Sequence, residues 1–301
     1  MITYNLAVVL IATLGLVAST SSDVVRLEVR VQTRAGHELA GTLTVPRSAR
    51  SGPVAVFVSG AGPHTRSYST TASINNRAFE KIEDALLLRG VGSFRYDEVG
   101  TGASGGSYRA YATSLTLSND LVDVLTVLGS RSGFAATEFL LIGHSEGGLV
   151  ASLASTSSAK VAGLVLLAAP AVPGTIVMRD QWREFAMRNG ASYDEMQVEH
   201  RDRARSDPWY RFFLTFDPAP AYLRVDRPVL ILQGEQDFHV PPWHADSIAS
   251  LLRHGGNRNV RINMMPDLTH GFVSIDPHSF ERSVIASIST WASNLLRTRA
   301  K

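Results

Sequence analysis

Phe139-Leu140-Leu141-Ile142-Gly143-His144-Ser145-Glu146-Gly147-Gly148 decides how this chain is read. Its first four residues form a continuous apolar run, as expected of a strand buried on both faces. From Leu149 to Ser155 the pattern turns helical. Between the two lies G-x-S-x-G, which places a serine on a sharp turn between strand and helix. The logic is steric. A strained turn lifts the hydroxyl above the sheet, and glycines two residues before and after it let neighbouring chain approach closely. Ser145 also stands at a helix N-terminus, where the helix dipole favours developing negative charge. The spacing therefore predicts a nucleophile at Ser145.

Outward from this turn the chain alternates. Leu27 to Val31 has period two, and Leu39 to Val45 follows beyond the turn Ala35-Gly36-His37, which predicts a strand hairpin. Short apolar runs at Val54–Val58, Gly92–Tyr96, Val161–Leu167 and Val229–Leu232, with a more mixed Val260–Met264, predict further strands. Helical patterns lie between them at Phe79–Arg89, Leu117–Leu128 and Ile248–Leu252. A last helix is expected to open at Asp276, with Pro277 in its first turn, and to run to about Arg297. Strands alternating with helices predict an α/β fold, a mostly parallel sheet covered on both faces.

Residues 172–226 break the alternation, being far longer than an ordinary connection. They hold polar helical stretches (Gln181–Arg188, Tyr193–Arg205) and the aromatics Trp209, Tyr210, Phe212, Phe213 and Phe216. The segment reads as a helical lid inserted in the domain 21–301, with Trp209 and Phe213 as candidate substrate contacts. A helical excursion packed on the sheet edge is the structural alternative. Its eight basic and nine acidic residues leave a net charge of −1, which indicates nothing about the substrate.

A serine hydroxyl needs a base, and the base needs an orienting carboxylate. Of nine histidines, His270 stands where a base is expected, in the loop after the strand from Val260; His278, His239 and His244 are the competitors. His144, beside the nucleophile, reads as packing of the turn. The acid is expected just after the preceding strand, where Asp237 follows Gly234, with Glu235 and Asp267 as competitors. An oxyanion hole needs two backbone N–H groups. Glu146 supplies one, and the loop Ser59-Gly60-Ala61-Gly62-Pro63-His64 supplies the other through Ala61 or Gly62. Pro63 has no N–H to give. Gly60, Gly62 and His64 are further candidate substrate contacts.

Composition narrows the chemistry. The chain has 301 residues and no cysteine, which excludes disulfides, thiolate metal sites and a cysteine nucleophile. No HExxH or comparable metal-ligand cluster occurs, and no cofactor is expected. Net charge is +2, and the densest basic stretch, Arg201 to Arg205, is interrupted by Asp202, so no nucleic-acid partner is expected. Leu6 to Ala18 is an uncharged apolar run, shorter than a spanning helix and followed by small residues. Residues 1–20 thus read as a cleaved export signal, which predicts a periplasmic or secreted protein without stable membrane insertion. A retained anchor and a folded apolar segment are the alternatives.

From about residue 25 to 297 the chain resembles the α/β-hydrolase superfamily. The likeness is to exported bacterial esterases and peptidase-like hydrolases of the prolyl-oligopeptidase and bile-acid-acyltransferase-like group. SGAGPHTR (59–66), RYDEVGTGASGG (95–106), GHSEGG (143–148) and RPVLILQGEQDFHVPP (227–242) carry the resemblance, and DPWYRFFLTFDP (207–218) is similar to that group's insertion. It implies an α/β-hydrolase fold, a Ser145–Asp237–His270 triad in the order such enzymes use, oxyanion donors at Ala61 and Glu146, and a small-molecule ester as substrate. Two departures stand out. Glu98-Val99-Gly100 lies where many relatives carry a basic residue, implying the loss of a local salt bridge, and Gly271-Phe272 follows the triad histidine. The leading expectation is ester hydrolysis through an acyl-enzyme. Aminopeptidase, thioesterase or acyltransferase chemistry on the same triad is the alternative, and a silent binding protein is a third class that an intact triad argues against.

Overall fold

Successive side chains of a strand point to opposite faces, so a strand apolar throughout needs a core on each side. The central strands meet that condition. In the computed structural model, which describes residues 23–68, 77–190, 192, 198, 202–273 and 282–299, eight strands form one sheet. They are β1 (Val24–Gln32), β2 (Glu38–Pro46), β3 (Ser51–Val58), β4 (Gly92–Tyr96), β5 (Ala135–His144), β6 (Val161–Leu167), β7 (Val229–Gly234) and β8 (Val260–Met265), in the spatial order β1-β2-β4-β3-β5-β6-β7-β8. The expected hairpin is present, β1 pairing with β2 from Val24↔Pro46 to Gln32↔Glu38, and β2 meets β4 antiparallel. From β4 onward every pairing is parallel.

The described helices are α1 (Ala78–Leu87), α2 (Tyr108–Tyr111), α3 (Ser114–Ser130), α4 (Glu146–Ser155), α5 (Gly174–Asn189), α6 (Pro208–Thr215), α7 (Ala219–Leu223), α8 (Trp243–His254) and α9 (Arg282–Arg299). Residues 202–206 are helical as well. Period-two alternation sorts the strand residues between two cores. Val54, Val56, Phe139, Leu141 and Ile231 join Leu121 and Leu125 of α3, Val150 of α4 and Ile248 of α8. Ala55, Phe57, Leu140, Ile142 and Leu232 join Phe79 and Ile82 of α1 and Val284 and Ile288 of α9. Helix α3 opens on a reciprocal cap, in which Thr113 Oγ1 accepts from Thr116 N at 3.1 Å and Thr116 Oγ1 accepts from Thr113 N at 2.8 Å.

Topology sets where a site can form. β3 lies between β4 and β5, so the chain crosses from one side of β3 to the other, and the crevice of such a sheet opens at the carboxyl ends of the strands there. Val58 pairs with Gly143, which brings the loop after β3 beside the turn after β5. Between β6 and β7 the described residues form no strand. There α6 packs against α5 and α2, while α7 packs against α4 and α8. Among the described residues no helix is long and apolar enough to cross a membrane. The signal expected at 1–20 and the helix start expected at Asp276 lie outside the described residues, and α9 extends two residues past its expected end at Arg297.

Candidate active site

Ser145 occupies a strained backbone position, φ +54° and ψ −124°, at the N-cap of α4. Its N–H donates to Leu167 O at 2.8 Å, pinning the turn to the end of β6. The flanking glycines are there for close approach. A Cβ at Gly143 would lie 2.2 Å from Gly147 O, and one at Gly147 would lie 2.3 Å from Val58 O. The turn is therefore wedged against β3, the strand whose following loop carries Ala61.

Asp237 and His270, 33 residues apart, meet at the ends of β7 and β8. His270 Nδ1 donates to Asp237 Oδ2 at 2.8 Å, so Nε2 of the neutral ring is the nitrogen left to accept a proton. The buried carboxylate is fully engaged. Its Oδ1 accepts from the N–H groups of His239 and Val240, each at 2.9 Å, and its Oδ2 also accepts from Gln233 Nε2 at 3.0 Å. Burial acts to raise its pKa, but His270 and these donors outweigh it and hold the carboxyl below the ordinary aspartate range. The acid is thus kept ionised beside the ring that would become cationic. His270 and Ser145 line one cavity of about 830 Å³.

Beneath them runs a hydrogen-bond chain that pattern reading missed. His270 O can only accept, so His144 Nε2 donates to it at 2.9 Å, and the Tyr68 hydroxyl then donates to His144 Nδ1 at 2.7 Å. Burial, and secondarily His270, push the His144 pKa down to about 3, which keeps this ring neutral. The packing role expected of His144 is therefore a directional one: it holds the backbone carbonyl of His270. Tyr68 lies outside every motif, and no local signal would have found it.

The loop after β3 is clamped by the loop after β4. His64 N donates to the buried Glu98 carboxylate at 2.9 Å, and Glu98 N donates to His64 O at 3.0 Å. Arg66 pairs with Asp97 at 2.8 Å, so this region is ion-paired after all, through the acid before Glu98 rather than a basic residue at that position. Gly62 N donates to the Tyr108 hydroxyl at 3.1 Å, whereas Ala61 N–H has no partner among the described residues. Glu146 N–H, in the first turn of α4, has no partner within its helix. These are the two N–H groups expected to face an oxyanion. Gly60 is buried against Tyr68 and Ser145 rather than lining the cavity, Gly62 lines a neighbouring cavity, and His64 lines the main one with Nε2 on Ala61 O at 2.9 Å.

The sequence profile of the prolyl oligopeptidase family matches residues 82–299. The chain belongs to that family. The esterase EstD of Thermotoga maritima is 24% identical over 285 residues, which cover 84% of this chain and 65% of EstD, so the chain spans less than two thirds of that relative's length. The esterase Pf2001 of Pyrococcus furiosus superposes with a TM-score of 0.66 at 15% identity, over 90% of this chain and 91% of that one. An α/β-hydrolase of Penicillium, GrgF, does so with a TM-score of 0.61 at 18% identity, over 91% and 98%. The fold is that of α/β-hydrolases.

Within this prolyl oligopeptidase family member, tertiary placement separates the competing candidates. Glu235 and Asp267 are exposed, away from His270 Nδ1. His244 is buried with Nδ1 accepting from Ala171 N at 3.0 Å, His239 lines the cavity 5.3 Å from the His270 ring, and His278 lies outside the described residues. Trp209 and Phe213 of α6 both line the cavity and stack at 5.3 Å. Trp209 is anchored from below. Its Nε1 donates to both carboxylate oxygens of Glu146 at 3.0 Å, and Ser114 Oγ donates to the same carboxylate at 2.5 Å. Glu146 is fully buried, and burial raises its pKa against the pull of those two donors. Its backbone and its side chain therefore face different partners, a dual use that the G-x-S-x-G pattern does not reveal. Among the described residues no group of three His, Asp or Glu side chains could hold a metal ion.

Proposed function

We propose that this chain is a serine hydrolase that cleaves carboxylic esters through an acyl-enzyme. One observation carries the reading: Ser145, strained at the end of β5, shares a cavity with His270, whose Nδ1 is held by the buried Asp237. Ser145 Oγ attacks the ester carbonyl while its proton passes to His270 Nε2. The tetrahedral oxyanion is met by the N–H groups of Ala61 and Glu146, donors of the kind worth about 10²–10³ in rate each. The imidazolium, stabilised by Asp237, returns the proton to the leaving alcohol. Water then attacks the acyl-enzyme by the same route and frees Ser145.

Residues 172–226 serve in this reading as a lid, which is supported by the cavity wall that Val177, Met178, Trp209 and Phe213 contribute. Residues 1–20 direct export, a reading that rests on their apolar run alone. Replacement S145A tests the assignment. Hydrolysis of 4-nitrophenyl acyl esters should fall to background with the circular dichroism spectrum unchanged; turnover near that of the parent protein would refute it. The family's peptidase members make amides the second bond to assay, with an aminoacyl 4-nitroanilide as the matched substrate.

A further inference from the structure

The cavity around Ser145 does not end at the oxyanion loop. A second cavity of about 620 Å³ adjoins it, and the two share Ala61, Arg203 and Trp209. Glycine forms much of its floor. Gly100 and Gly106 have φ of +71° and +88°, and a Cβ on either would meet a neighbour at 2.7 Å. Apart from one carboxylate, what faces this space is rich in donors. The Tyr108 hydroxyl accepts from Gly62 N at 3.1 Å, and its own proton has no partner among the described residues. Arg109 uses Nη2 on Ser206 O at 3.1 Å.

Arg203 is the distinctive group. Its guanidinium carbon lies 4.4 Å from the centre of the Tyr210 ring and 6.0 Å from that of Trp209, contacts that pre-position a half-exposed side chain. It donates no side-chain hydrogen bond among the described residues. Its ion-pair contact, Nε to Asp207 Oδ2, is 3.7 Å, beyond hydrogen-bond range. Asp207 divides its oxygens, Oδ1 capping α6 at Tyr210 N, 3.2 Å away, and Oδ2 facing Arg203 from 3.7 Å. Two guanidinium groups against one carboxylate leave the lining positive. A planar fork with free donors is the geometry that recognises a carboxylate in bidentate fashion.

We infer that the second cavity is a subsite for a carboxylate carried on the acyl part of the substrate, with Arg203 as the residue that selects it. The inference rests on the ester-hydrolase reading above. Orientation picks the acyl part. The leaving oxygen must face His270, which lines the first cavity and not the second. The acyl chain is therefore the portion free to turn past Ala61 and Trp209, with the Trp209 side chain beside its methylenes. The substrate class is the half-ester of a dicarboxylic acid. The net charge of the insertion conceals this, because the site depends on where Arg203 stands and not on the sum.

The test pairs 4-nitrophenyl half-esters of adipic, pimelic and suberic acids with the methyl 4-nitrophenyl diesters of the same acids, so that leaving group and chain length are matched. For the parent protein the kcat/KM ratio of charged to neutral ester should reach about tenfold at one or more chain lengths, the scale of a charge-assisted hydrogen bond, and should fall as salt is added. The ratio should collapse towards one in R203M and be partly kept in R203K. Because it is internal to each protein, a general loss of activity does not mimic the effect. A parent ratio at or below one at all three lengths, or an R203M ratio equal to the parent's, would overturn the inference while leaving the esterase reading standing. Failure to hydrolyse any of the six esters would overturn both.

Discussion

Acid should weaken this fold through one buried imidazole. His144 spends both ring nitrogens as a neutral group, Nε2 donating to His270 O and Nδ1 accepting from Tyr68. A second ring proton would face the Tyr68 hydroxyl and place a charge where water cannot reach it. The pKa accordingly drops from 6.5 to about 3, chiefly through burial. Between those two values the unfolded chain binds the proton and the folded one does not. Stability contributed by the neutral ring is thus complete above pH 6.5 and is lost as pH falls towards 3. At about 1.4 kcal/mol per pH unit, this one group withdraws about 3 kcal/mol between roughly pH 7.5 and 4.5. Urea unfolding followed by tryptophan fluorescence at both pH values, on the parent protein and on H144Q, isolates that contribution. Glutamine keeps a donor for the His270 carbonyl and has no proton to gain. H144Q should be the less stable protein at pH 7.5, yet lose about 3 kcal/mol less on acidification, because titrating groups common to the two proteins and remote from residue 144 cancel in the comparison. Equal losses in the two proteins, within about 1 kcal/mol, would refute the reasoning.

Two further perturbations probe the same site. E146A leaves the Ser114 hydroxyl and the Trp209 N–H without their acceptor, at about 1–3 kcal/mol each, so thermal or urea unfolding should show a loss of about 2–6 kcal/mol, and E146Q, which retains one carbonyl oxygen, a smaller one. D237N replaces the acceptor of the His270 Nδ1 proton with a side chain that can hold the wrong tautomer; kcat on 4-nitrophenyl esters should fall by about 10⁴ with the spectrum of the folded protein preserved.

The chain's alternation of strand and helix was legible residue by residue. Runs such as Val161–Leu167 and Val229–Leu232 are apolar without interruption because each strand is buried on two faces, and the structure divides their side chains between two cores. Gly143 and Gly147 announced a close approach, and the atoms they approach are those of β3 and of the turn itself. Glu98 was legible only as a departure. Its buried carboxylate proves to hold His64 N, a bond between loops 34 residues apart. Glu146 read as the residue after the nucleophile, and nothing local signalled that its side chain would secure a tryptophan 63 residues further on.

The sequence by itself determined the elements, their order along the chain and the turn that carries Ser145. These follow from hydrophobic period, glycine spacing and turn chemistry, which act over a few residues. Only the tertiary structure decided which acid meets His270, which histidine supports its backbone from beneath, and where Arg203 stands relative to the loop after β3. Asp237, Glu235 and Asp267 are chemically near-equal along the chain. What separates them is that Asp237 alone of the three is buried at the end of β7 with four donors around it, while Glu235 and Asp267 remain in water. Burial and long-range hydrogen bonds of that kind exist only once the sheet has brought the ends of β3, β5, β7 and β8 to one edge.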